Sequence, residues 1–311
     1  MGIERGQYVQ GPRIIQYAYQ HRPTLGIERG AENGKLKPLN LPVAIFHFQA
    51  QCMNYTLPEL MVAAAAREIR DGEIIFVGTR LPLLAFALAK KTHAPRAIGF
   101  FESGIIRDTP AQEVLYTMGD SPNILGAIQC GSTLDLMGMM QRGWVDAGFI
   151  GGAEIDKYGN LNTSYIGGKP HSDHPNPDFT RLPGSGGACD IAALARRLLI
   201  IMPHEKRRFK NRVDYITSPG YGTGGNWRET VGLPRGGPGA VITTRGILRF
   251  DPVTKEMYLA SNHPGIPVEE ILANTGWDLK VASDLKETPP PTREELNFIR
   301  AYDPTGFWTR G

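Results

Sequence analysis

The stretch Glu73-Ile-Ile-Phe-Val77-Gly78-Thr79-Arg80, followed by Leu81–Lys91 (LPLLAFALAKK) and Arg96–Glu102 (RAIGFFE), decides the fold class. EIIFV is a short, unbroken apolar run of the kind that forms a strand buried on both faces. Gly78-Thr79 is a turn, and Leu81–Lys91 is helical in texture. RAIGFF is a second strand that stops at Glu102. A strand, a helix and a second strand in this spacing define a βαβ unit and hence a parallel sheet.

The same rhythm extends in both directions. Upstream, Thr56-Leu57-Pro58-Glu59 is a capping box with proline in the first turn, ahead of the good helix former MVAAAAREIR. Downstream, a helix is expected over Ser132–Gln141 and a strand over Val145–Ile150. A further helix is expected over Asp190–Arg197 and a strand over Leu198–Met202. Strands are also expected over Val213–Thr217 and Ala240–Thr244. Val253–Glu256 reads as the loop of a hairpin joining Ile247–Phe250 to Met257–Ala260. Helices over Val268–Leu272 and Arg293–Ala301 close the chain, separated by the stiff spacer Pro289–Pro291. The predicted architecture is an α/β domain, an open, mostly parallel sheet with helices on both faces, spanning residues 53–311.

Residues 1–52 differ in texture, with Gly/Pro breaks and scattered charge, and are expected to form an irregular N-terminal extension. The pentapeptide Gly-Ile-Glu-Arg-Gly occurs at 2–6 and 26–30, too few copies for a solenoid, which needs about three. Val43–Phe48 is a candidate added edge strand, and Met53 a candidate alternative start.

Composition sets limits on function. The 311 residues carry a net charge of only +3, which lacks the clustered basic footprint of a nucleic-acid binder. Three cysteines, Cys52, Cys130 and Cys189, do not make a disulfide framework. No apolar run approaches the ~18 residues of a membrane span, and the N-terminus lacks an apolar signal region. The expected location is the cytoplasm, with no membrane and no nucleic-acid partner. Thirty-seven glycines and 24 prolines imply many turns and several glycine loops.

Three segments carry candidate chemistry. Glu102 stands at the carboxyl end of a parallel strand, where open α/β sheets form their sites, and Ser103-Gly104 leaves its approach open. Its plain alternative is a carboxylate that caps the next turn. Gly184-Ser185-Gly186-Gly187-Ala188 precedes a helix and offers successive backbone N–H groups suited to an oxyanion or phosphate. It matches neither a Walker A loop nor G-x-G-x-x-G, and a tight strand–helix turn is its plain alternative. Gly151–Asn162, with Glu154 and Asn160, is either a polar wall of the site or a bulged hairpin. Other residues fail as motifs. His204-Glu205 has Arg at 208 and so lacks the second zinc ligand of H-E-x-x-H. His171, Asp173 and His174 sit in a Pro-rich loop with no helical face to hold a metal. The basic run Lys206–Lys210 reads as a solvated surface as readily as a phosphate contact.

Taken together, VGTRLPLLAFALAKKTHAP (77–95), FESG (101–104), FIGGAEIDKYGNLNTSYIG (149–167), GSGGACDIA (184–192), MPHEKRRFKNRVDYITSPG (202–220) and NTGWDL (274–279) resemble the class I CoA-transferases. The likeness is to β subunits of the glutaconate CoA-transferase type and runs from about Tyr55 to Pro304. It implies that Glu102 is the nucleophile. It implies that a coenzyme A thioester is the substrate and a carboxylic acid the acceptor, with no permanently bound cofactor or metal. It implies that an α subunit completes an α2β2 heterotetramer. It also implies covalent, ping-pong transfer through a glutamyl-CoA thioester, with the 184–188 loop as candidate oxyanion wall. Glu32-Asn33-Gly34 copies a tripeptide found around a catalytic Glu in some CoA-transferases, but lies outside any strand end. Two positions depart from the family pattern. Glu154 stands where Gln is frequent, adding a candidate second carboxylate. Arg80 replaces a small residue and is expected to bind a substrate carboxylate or point to solvent. Ser103 joins these as a candidate substrate contact. The alternatives are a CoA-thioester-dependent hydrolase or decarboxylase on the same fold, favoured by Glu154, and a non-catalytic ligand-binding subunit.

Overall fold

The structure, a computed structural model, describes residues 55–168, 178–233 and 235–310. The 1–52 extension, the Val43–Phe48 segment and the His171–His174 cluster lie outside these residues. The chain opens with α1 (Leu57–Arg67), β1 (Ile74–Val77), α2 (Leu81–Lys91), β2 (Ile98–Phe101) and β3 (Ile105–Arg107). Next come α3 (Ser121–Ile124), β4 (Gln129–Cys130), α4 (Thr133–Gln141), β5 (Ala147–Ile150), and the short pairs β6 (Glu154–Ile155), β7 (Leu161–Asn162), β8 (Tyr165–Ile166) and β9 (Thr180–Arg181). Then follow α5 (Ala188–Leu194), β10 (Arg197–Met202), α6 (Trp227–Thr230), β11 (Pro238–Thr243), β12 (Gly246–Phe250) and β13 (Met257–Asn262). The last elements are α7 (Val268–Ala273), β14 (Lys280–Glu287) and α8 (Arg293–Tyr302).

Ten of the strands make one sheet, in the order β14-β13-β12-β11-β10-β5-β1-β2-β3-β4. Its centre, β11-β10-β5-β1-β2, is parallel throughout. Alternate strand residues face opposite layers. Ile75, Val77, Phe101, Phe149, Leu199 and Ile242 pack with α1, α2 and α8. Phe76, Phe100, Ile150, Leu198, Ile200 and Val241 pack on the other side with α4, α5 and α7. Helices therefore cover both faces, as the continuous apolar strands require. Two strand glycines let the helices come close. A Cβ at Gly99 would lie 2.7 Å from Phe86 of α2, and one at Gly148 would lie 2.4 Å from Ile191 of α5.

Thr56 and Glu59 form the expected reciprocal cap on α1, with Thr56 N donating to Glu59 Oε2 (2.7 Å) and Glu59 N donating to Thr56 Oγ1 (3.2 Å). Glu59 also pairs with Arg300 (2.8 Å), and Arg67 with Glu295 (2.6 Å), so two ion pairs lock α8 across α1. The lock holds the C-terminal tail near the carboxyl end of β1.

The structure corrects two expectations and adds strands that the sequence reading lacks. The helix expected over Asp190–Arg197 starts at Ala188 and ends at Leu194, and Arg197 belongs to β10, where its guanidinium pairs with Glu73 (2.9 Å). Val213–Thr217 is not a strand. Its bonds go instead to the β6–β7 hairpin, with Asp214 N donating to Glu154 Oε2 (3.0 Å) and Thr217 N to the Leu161 carbonyl (2.8 Å), and the pairing amounts to an isolated antiparallel bridge between Leu161 and Ser218. After Phe101 the chain folds back through Ser103-Gly104 as β3, antiparallel to β2. β14 is an exposed edge whose sequence, KVASDLKE, has no apolar face to announce it. No described helix is long and apolar enough to cross a membrane.

Candidate active site

The carboxyl ends of the five central parallel strands open on one cavity of about 460 Å³. Gly78 and Thr79 follow β1, Glu102 follows β2, Gly151 follows β5, Pro203 follows β10 and Thr244 follows β11. β1 and β5 are neighbours whose onward connections run to opposite sides of the sheet. The cavity thus sits at the topological switch point, where α/β sheets bind ligands. Most of its walls are apolar, with Met61, Phe76, Phe149, Ile191, Ile201 and Trp308 among them. Glu102 is the one acid and Arg80 the one base among the described residues that line it.

Glu102 is half-buried and held at both ends. Its carbonyl accepts from Thr133 Oγ1 (2.6 Å) at the start of α4. Its carboxylate Oε1 accepts from Gly187 N (3.0 Å) in the glycine loop, and among the described residues nothing donates to Oε2. Two segments far apart in the sequence, each a candidate by itself, therefore meet. Ser185 and Ala188 line the same cavity. Gly184 and Gly186 take positive φ (99° and 49°), which shapes the loop around the carboxylate. Gly184 itself faces a second, shallower recess beside Tyr165 and Tyr215.

Ser103 does not reach the cavity. It is exposed, and its Oγ donates to the Met118 carbonyl (2.8 Å), pinning the loop that carries Met118 into the cavity wall. Glu154 and Asn160 are also placed elsewhere. Glu154 is 0% exposed, forms an ion pair with Lys210 and accepts from Asn162 Nδ2 (2.7 Å). Burial alone would lower the pKa of the Lys210 ammonium, but its bonds to Glu154 and Asp214 outweigh that and hold it above the usual value. Asn160 clips the hairpin, donating to Asp156 Oδ2 (2.9 Å) and accepting from Gly220 N (2.9 Å) and Gly222 N (3.0 Å). Of the two readings of Gly151–Asn162, the hairpin holds for 154–162, while Gly151 at the head of the segment lines the cavity.

Arg80 does line the cavity, at the start of α2, with its guanidinium 5.6 Å from the centre of the Trp308 ring. Trp308 is a cavity residue with no motif around it in the sequence. It comes from the far end of the chain, carried there by the docking of α8 on α1 and α2. Its indole donates to the Leu115 carbonyl (2.8 Å), which fixes the ring.

The other motif-like residues are structural. His204 stacks on Phe209 (3.8 Å between ring centres) and sits between Thr243 and Thr275. Burial, then the charge of Arg245, pushes its pKa down to about 3, so the ring is neutral. Arg207 and Arg208 both bind Glu205 (2.5 and 3.2 Å). Among the described residues no His, Cys, Asp and Glu side chains cluster as a metal site.

A parallel sheet with a carboxylate and a backbone donor at its switch point defines the class, and similarity to known proteins supplies the family. Residues 59–274 match the Coenzyme A transferase family, and the chain belongs to it. It is 38% identical over 250 residues to the β subunit of the 3-oxoadipate CoA-transferase of Pseudomonas knackmussii, covering 80% of this chain and 94% of the relative. It is 39% identical to the β subunit of the glutaconate CoA-transferase of Acidaminococcus fermentans, covering 81% and 97%. The crystal structure of the glutaconate enzyme superposes with a TM-score of 0.75, covering 83% of this chain and 98% of that one. The decarboxylase AibA/AibB is similar at 27% identity and a TM-score of 0.68, covering 82% of this chain and 97% of that one.

Proposed function

We propose that this chain is the β subunit of a cytoplasmic acyl-CoA:carboxylate CoA-transferase that carries CoA as a glutamyl thioester on Glu102. The observation that carries this reading is the Gly187 N–H bonded to one oxygen of a strand-end carboxylate whose other oxygen is unengaged among the described residues. Oε2 of Glu102 attacks the thioester carbon of the donor. The C–S bond breaks, an acyl–glutamyl anhydride forms, and CoA leaves as thiolate. The thiolate then attacks the glutamyl carbonyl carbon, releasing the donor acid and leaving Glu102 as its CoA thioester. The acceptor carboxylate attacks that thioester, and the freed thiolate takes the acceptor acyl group from the resulting anhydride, which restores the Glu102 carboxylate.

Attack on the glutamyl carbon pushes negative charge onto the oxygen that Gly187 already binds. The donor therefore needs no reorganisation at the moment the charge develops, which is where preorganised N–H groups act most strongly. Coenzyme A is a substrate here, not a resident cofactor. The cavity opens to solvent in the single chain, and an α subunit, forming an α2β2 heterotetramer, is proposed to close it and contact the acyl group.

The hydrolase or decarboxylase alternative draws on Glu154 as a second carboxylate at the site. Glu154 is engaged by Lys210, Asn162 and Asp214 in a buried hairpin, so what supports that alternative is the similarity to the decarboxylase AibA/AibB. The two are separated by acceptor dependence in the α–β complex. Beyond one equivalent per site, a transferase consumes acyl-CoA only when an acceptor acid is present, and it shows parallel double-reciprocal lines. Steady loss of acyl-CoA with no acceptor would overturn the transferase reading.

A further inference from the structure

We propose that Arg80 is a specificity-determining residue that pairs with the distal carboxylate of a dicarboxylic acyl group, while the reacting carbonyl lies at Glu102. The inference rests on the transferase reading and deepens it. Arg80 adopts φ 70°, ψ −128°, a conformation that favours glycine. The other described non-glycine residue with positive φ, Lys255, lies in the β12–β13 hairpin connection. Glycine would satisfy the backbone at 80 at no steric cost. Strain kept at the rim of a ligand cavity points to a role for the side chain that imposes it.

Arg80 is exposed at the cavity mouth, and its side chain turns to the aromatic wall. The guanidinium lies over Trp308, and Trp308 is itself held by the Leu115 carbonyl. A cation over an aromatic face keeps its in-plane N–H groups free for a planar, bidentate partner such as carboxylate. No carboxylate among the described residues pairs with it. A mainly apolar cavity with one nucleophile and one unmatched cation suits an acid with an anionic group at each end and methylenes between. A phosphate of CoA is the other oxyanion Arg80 could meet, and the experiment separates the two.

The test uses the α–β complex and follows Glu102 thioester formation with adipyl-CoA against hexanoyl-CoA, which differ by one terminal carboxylate. The wild type should prefer adipyl-CoA. Arg80→Gly should lower kcat/KM for adipyl-CoA roughly 10- to 100-fold, the range of a charge-assisted hydrogen bond, and bring the preference close to one. Its melting temperature should hold or rise, because glycine relieves the backbone. Arg80→Lys should retain part of the preference, since it keeps the charge but not the fork. The loss should persist with S-adipyl-pantetheine, which has no nucleotide. Equal loss for both acyl-CoAs, absence of preference in the wild type, or an effect that vanishes with the pantetheine ester would overturn the proposal. Failure of any acyl-CoA to label Glu102 would instead remove the transferase reading beneath it.

Discussion

Glu102→Ala is expected to reduce CoA transfer by a factor on the order of 10⁴ or more, as removal of a covalent nucleophile does. The chain should still fold and assemble with its partner. The side chain makes one hydrogen bond, to Gly187 N, and is only half-buried, so losing it costs about 1–2 kcal/mol. The backbone anchor survives, because Thr133 binds the main-chain carbonyl at 102 and not the side chain. Activity would be followed as CoA transfer and assembly by size-exclusion chromatography with the α subunit. Full activity in this variant would sink the nucleophile assignment. Glu102→Gln is a weaker test, since an amide at such a site can hydrolyse back to the acid.

Gly187→Val is expected to lower kcat about 10²- to 10³-fold, the usual effect of losing one oxyanion donor, with little loss of melting stability. The backbone at 187 has φ −80°, ψ 0°, which needs no glycine, so the change is not a strain experiment. A Cβ there would lie 2.6 Å from Met137 Cε and 3.0 Å from Glu102 Oε1. The methionine end can swing aside. The carboxylate has to leave the Gly187 N–H. Kinetics and thermal melts on the same preparation decide the matter. If rate and stability fall together, the loop is a plain strand–helix turn.

Much of the fold is legible in the sequence because the central strands are unbroken apolar runs separated by helices, and because α1, α4 and α8 open on capping boxes. Glu102 is legible because it ends such a run, and the glycine loop because its glycine spacing is unusual ahead of a helix. That these two meet is not legible, since 85 residues separate Glu102 from Gly187. Glu154 shows the opposite failure. A carboxylate beside Gly151-Gly152 reads equally as a site wall or a buried ion pair, and its partner Lys210 is hidden in a basic run that looks like solvated surface. Val213–Thr217 has strand-like residues, yet tertiary bonds to the hairpin override local propensity. Trp308 carries no local signal, because its place in the site depends on the long-range lock of α8 on α1.

Covalent attachment of CoA to Glu102 can be detected by peptide mass spectrometry of the α–β complex after incubation with acyl-CoA and then borohydride. Borohydride reduces a glutamyl thioester to the alcohol and leaves a free carboxylate untouched. The thioester mechanism predicts a mass loss confined to the peptide carrying Glu102, present only when acyl-CoA was added. Consumption of acyl-CoA with Glu102 left as an unmodified carboxylate would contradict it.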